Sequence, residues 1–159
     1  MKAASLKEIK TELSHRSTQE LLELCLRLSK FKKENKELLT YLLFESANEE
    51  AFIESIKAQI DEYFEEINTK TFYFIKKSVR KILRETKKFI RYSQNKETEV
   101  VLLIYFCEKI KNLEPSIKRD KMLYNLYNRQ IDYVKRRINS MHEDLQNDFN
   151  MELEALEAS

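Results

Sequence analysis

Residues 69–95, TKTFYFIKKSVRKILRETKKFIRYSQN, separate apolar from charged side chains more cleanly than any other stretch of the chain. Advancing ~100° per residue collects Phe72, Ile75, Val79, Ile82, Leu83, Thr86, Phe89 and Ile90 on one side of a helix. The other side receives Lys76, Lys77, Arg80, Lys81, Arg84, Lys87, Lys88 and Arg91 within an arc of roughly 140°, and Glu85, the lone acid, falls outside it. A wetted helix face has only to be polar, so eight cations with no acid among them call for a further reason. Two are open: an acidic ligand meets them, or carboxylates of a neighbouring helix do.

Composition decides the fold class. The 159 residues include no Gly, no Trp and one Pro, Pro115. Glycine is what permits positive φ in tight hairpins, bulges and phosphate-cradling loops, so its absence argues against sheets and Gly-rich nucleotide loops together. An all-α chain remains, with six or seven helices expected in successive antiparallel αα-hairpins, as an irregular α-solenoid or a helical bundle. The length predicts a single domain over residues 1–150, with an acidic, frayed tail over residues 151–159.

The formal net charge of +2 hides alternating blocks. Residues 48–67 carry −6, residues 68–96 carry +9, residues 116–138 carry +5 and residues 139–159 carry −6. Such asymmetry bears on partners rather than on fold. The first two blocks predict an acidic helix followed by the basic one. Asp61, Glu62, Glu65 and Glu66 can then lie beside Lys76, Lys77 and Arg80 in exposed pairs worth about 0.2–1 kcal/mol each.

Along the chain, Ser5 with Glu8 and Ser17 with Glu20 form two S-x-x-E capping boxes. The second opens a helix striped by Leu21, Leu24, Cys25 and Leu28, and Asn35 is read as the cap of the next. Asn48 and Thr69 are expected to cap the acidic and basic helices, and Thr98 the apolar run from Val100 to Cys107, which should be the central core helix. Pro115 and Ser116 fit the next start. Unbroken from Ile117 to Leu156, that helix would be about 60 Å long, so a break is expected near Asn139, marked by a third pair, Ser140 with Glu143.

No chemistry-bearing constellation emerges, and a non-catalytic protein without cofactor or metal is expected. His142-Glu143-Asp144-Leu145-Gln146 begins like a zinc-binding H-E-x-x-H but has Gln146 at the second ligand position. Glu12 and His15 have the spacing of half a di-iron motif with no second half. Cys25 and Cys107 lie far apart within apolar runs and read as buried, reduced packing residues of a cytoplasmic protein. No long apolar run spans a membrane.

Residues 5–45, SLKEIKTELSHRSTQELLELCLRLSKFKKENKELLTYLLFE, and above all KFKKENKELLTYLLFE, resemble a small bacterial family of all-helical proteins of unknown function. The resemblance implies a bacterial cytosolic setting and lends no activity or site residue. The leading expectation is therefore an interaction module binding an acidic protein surface through the eight cations, and the alternative is nucleic-acid binding by the same face. Lys118, Arg119, Lys121, Arg129, Lys135, Arg136 and Arg137, interleaved with Tyr124, Tyr127 and Tyr133, form a second basic stretch.

Overall fold

Helix starts follow the capping side chains. Ser5 Oγ accepts from the Glu8 amide at 3.3 Å while the Glu8 carboxylate accepts from the Ser5 amide at 2.8 Å, and Ser17 and Glu20 repeat this at 3.2 and 2.8 Å. They open α1 (Leu6–Ser14) and α2 (Thr18–Phe31). The computed structural model describes residues 1–159, all-helical and without strands.

The chain divides into two compact units, Met1–Phe44 and Glu45–Ser159. In the first, α2 packs against α3 (Lys33–Thr40), which leads into a π turn, Tyr41–Glu45. Asn35 does not cap α3; it lies within it and donates its Nδ2 to the Leu28 carbonyl at 2.8 Å, tying the two helices together. Tyr41 is the one residue of this unit that is buried. Cys25, expected in a core, is exposed, because the apolar stripe it shares meets only α3.

The second unit holds α4 (Glu49–Glu65), α5 (Phe72–Ser93), α6 (Lys96–Lys111), α7 (Lys121–Asn139) and α8 (Glu143–Ala158). Helix α6 packs against α4, α5, α7 and α8. Its Val100, Leu102, Leu103, Phe106, Cys107 and Ile110 are almost wholly removed from water, as expected of a helix apolar nearly all round. Burial pushes the Cys107 thiol up to about 12, which keeps it protonated and inert.

Several boundaries shift from those expected, each to a residue whose side chain accepts from a first-turn amide. Thr71, not Thr69, accepts from the Phe74 amide at 3.4 Å. Asn95, not Thr98, caps α6, accepting from the Glu97 and Thr98 amides at 2.9 and 3.2 Å. Pro115 and Ser116 lead only into one 3-10 turn, Ile117–Arg119, and α7 starts at the Asp120 cap. The break after Asn139 is present, but His142 rather than Ser140 caps α8. Residues 151–159 continue α8, which runs to Ala158 with Phe149, Leu153 and Leu156 buried at i, i+4 and i+7. That full helix brings the number of α-helices to eight rather than six or seven. With no glycine available, Gln94 takes the left-handed cap of α5 at φ 55° and donates its amide to the Ile90 carbonyl.

Glu49, in the first turn of α4, ties three helices. Its Oε1 accepts from Thr98 Oγ1 at 2.6 Å and from the Ser93 hydroxyl. Thr98 is fully buried, so removing the acceptor strands a hydroxyl without water. Glu49→Ala is expected to cost about 1.5–3 kcal/mol in urea unfolding; a value within 0.5 kcal/mol of wild type, at about the noise of a surface change, would contradict this tie.

Candidate functional site

Helix α5 turns Ile75, Val79, Ile82, Thr86 and Ile90 inward, and Thr86 satisfies its own hydroxyl by donating to the Ile82 carbonyl at 2.9 Å. The arc of cations therefore lies opposite this stripe, and the fate of each follows its place in the arc. Lys76 and Lys87 stand at the edge nearest α7. Lys76 Nζ meets Asp120 Oδ2 at 3.2 Å, and Lys87 Nζ lies 6.0 Å from the centre of the Tyr133 ring. Near the opposite edge Lys88 is buried, against expectation, pairing with Glu85 at 2.6 Å and lying over the Phe89 ring at 4.9 Å. Its aliphatic stem covers apolar surface while its ammonium is neutralised by the lone acid of the helix.

Lys77, Arg80, Lys81, Arg84 and Arg91 are exposed, and no carboxylate stands within 4.0 Å of them. From Lys77 to Arg91 they cover about 21 Å of helix at ~1.5 Å per residue. The first four, with Tyr73, Lys76 and Met122, border an open trough of about 760 Å³. Beside it a cleft of about 160 Å³ brings Tyr63 and Glu66 of α4 to Lys81 and Glu85.

The acids expected to neutralise this row are engaged elsewhere or stand free. Asp61 points at α6: its carboxylate accepts from Tyr105 Oη at 2.7 Å and pairs with Lys109 Nζ at 2.5 Å. Partial burial pushes the Asp61 carboxyl up, but the Lys109 and Tyr105 hydrogen bonds outweigh it and hold the group below the usual carboxylate range. Glu62, Glu65 and Glu66 are exposed and form no ion pair with α5. The acid that does reach the row, Asp120, was not singled out in the sequence, since the helix start was expected at Pro115 and Ser116. Burial raises its pKa, but the Leu123 amide, Lys76 and the Met122 amide together outweigh that and hold it below the usual carboxylate value.

The second basic stretch is less uniform. Arg137 forms Nε and Nη2 contacts with Glu99 Oε2 at 2.6 Å, Tyr133 donates to Glu99 Oε1, and Lys135 meets Glu157 at 2.7 Å. His15 is the C-cap residue of α1 and His142 accepts from the Asp144 amide, so both are helix-end residues. No three His, Cys, Asp or Glu side chains converge to hold a metal ion, and no helix is long and apolar enough to cross a membrane. Compared with known protein families, curated proteins and solved structures, the chain matches none.

The Asp61 cluster makes the pH response directional. A carboxyl whose folded pKa lies below its unfolded value contributes stability above that unfolded value and loses it as pH falls through the folded one. Lys109, raised chiefly by its bond to Asp61, behaves oppositely and loses its contribution only as pH rises past the usual lysine range. Asp61→Asn is expected to lower stability by about 1 kcal/mol at neutral pH, because the pair is over a third exposed and screened. The difference from wild type should close as pH falls below 3.8, the ordinary carboxyl value. Urea midpoints measured across pH check this, and a constant difference at every pH would contradict it.

Proposed function

We propose that residues 45–159 form a helical bundle around α6 whose task is to present the middle of the α5 cation row to an acidic protein surface, without catalysis. The observation that carries the reading is the set Lys77, Arg80, Arg84 and Arg91, exposed and free of internal carboxylates at the centre of the arc. Arginine forks bind carboxylates in two-point contacts and are weakly hydrated, so an Arg-rich row suits carboxylate recognition better than solvation alone. The bacterial cytosolic setting is supported by the resemblance of residues 5–45.

The acidic protein is preferred over nucleic acid on charge. Residues 45–159 hold 20 Lys and Arg against 21 Asp and Glu, a net of −1. A long polyanion would feel the acids of α4 and α8 as well as the row, whereas a compact acidic patch meets the row alone. One feature favours nucleic acid as a second reading: Tyr73, 67% exposed beside Lys77, is available to stack on an unpaired base.

The two readings separate in one titration series using a ten-residue Asp/Glu peptide and a mixed-sequence single strand, each at low and high salt. The peptide is expected to bind, weaken with salt, and lose at least tenfold in affinity in the triple variant Lys77→Glu, Arg80→Glu, Arg84→Glu. The midpoint of thermal unfolding should shift by no more than about 6 °C, as for three surface changes of about ±0.5 kcal/mol each. Strand binding with no peptide binding would give the function to nucleic acid. Binding of neither would leave the row a solvated helix face.

A further inference from the structure

The first unit has more apolar side chains than it can cover. Residues 1–44 form three helices, yet Leu28, Phe31 and Phe44 are 61%, 76% and 74% exposed, and Leu22, Leu24 and Leu26 are exposed with them. Turned at ~100° per residue, the apolar side chains of α2 occupy roughly 220° of its circumference. Helix α3 half-covers only the sector at Leu21 and Ser29, leaving along that seam an apolar groove of about 220 Å³ lined by Cys25 and Leu28. A surface helix has no use for an apolar arc of this width, and units near this size seldom stand alone without disulfide, metal or association.

The charges that border the arc say what covers it. On α2 the acids come first and the bases last: Glu20 and Glu23, then Arg27 and Lys30. Arg27 and Lys30 have no ion-pair partner, and Glu20, whose Oε2 takes the Ser17 amide in the capping box, has as its ion-pair partner only Arg16, at 3.9 Å from Oε1. Glu20 and Arg27 share one rim, where a concavity of about 400 Å³ is bordered by Arg16, Glu20, Glu23, Leu24 and Arg27. A helix with this order of charge is complementary to its own reversed copy. A two-fold axis between residues 23 and 24 sets Glu20 against Arg27 of the other copy, twice, over Leu24 and Leu28.

We infer that the uncovered face of α2 is a self-association surface, on which a second copy of this chain packs its own α2 in antiparallel register. Leucines close the centre and the Glu20–Arg27 pairs select the register. Cys25 then sits one to two residues from the two-fold axis, which brings the two thiols within about 10 Å of each other, the separation of packed helix axes.

The test uses the full chain. Sedimentation equilibrium at about 100 μM, a hundredfold above a micromolar dissociation constant, should give twice 19.2 kDa. A bismaleimide reaching about 10 Å should link two copies through Cys25, and Cys25→Ser should abolish the link, since Cys107 is fully buried. Leu24→Glu places two carboxylates on the axis and Arg27→Glu sets like charges opposite each other. Each should weaken association at least tenfold with unchanged far-ultraviolet circular dichroism, and Arg27→Glu serves if Leu24→Glu fails to fold. A mass of one copy at every concentration overturns the inference. So does a dimer that is indifferent to both substitutions, or one whose cross-link survives Cys25→Ser.

Discussion

Helix α6 leaves its neighbours little choice. With Val100, Leu102, Leu103, Phe106 and Ile110 distributed around its circumference, it can be removed from water only if helices stand on all its sides, and α4, α5, α7 and α8 do so. Each surrounding helix then has one inward stripe set by that contact. For α5 the stripe is Ile75, Val79, Ile82, Thr86 and Ile90, and its cations other than the buried Lys88 are outward by consequence. Replacing α6 by an ordinary amphipathic helix would remove the reason for this orientation.

The same arrangement decides where the carboxylates go. Polar groups of α6 engage them: Tyr105 and Lys109 take Asp61, the buried Thr98 takes Glu49, and α6's own carboxylate, Glu99, holds Tyr133 and Arg137. These contacts are partly desolvated and hydrogen-bonded, so each outweighs the solvent-screened pair the same acid could make across a helix surface. Only the edges of the α5 row meet partners, Asp120 and Tyr133 on one side and Glu85 on the other. The centre of the row is left to solvent or to another molecule.

Much of the fold was legible in single residues. Missing glycine excluded sheets, the two S-x-x-E boxes and Asn48 marked starts atom for atom, and the apolar run at Val100–Cys107 identified the hub. Occupancy of a face was not legible. The periodicity of Leu21, Leu24, Cys25 and Leu28 reports which residues share a side, and says nothing about whether a second element reaches that side. At the other end the three acids of residues 151–159 drew the eye from Phe149, Leu153 and Leu156, whose spacing puts them on one buried face. At the site, the arc of cations was readable, but Lys88 and Lys76 lie near its edges, and edge positions depend on neighbours no local pattern records.

Whether the centre of the row is bare in solution is the most direct question. Native-state acetylation, read lysine by lysine by mass spectrometry, distinguishes an exposed ammonium from one held in an ion pair or buried. The arrangement described predicts that Lys77 and Lys81 are modified as fast as Lys7, an exposed lysine of α1, while Lys88 and Lys76 lag. Protection of Lys77 and Lys81 equal to that of Lys88 would mean that the chain covers its own cations, and would contradict it.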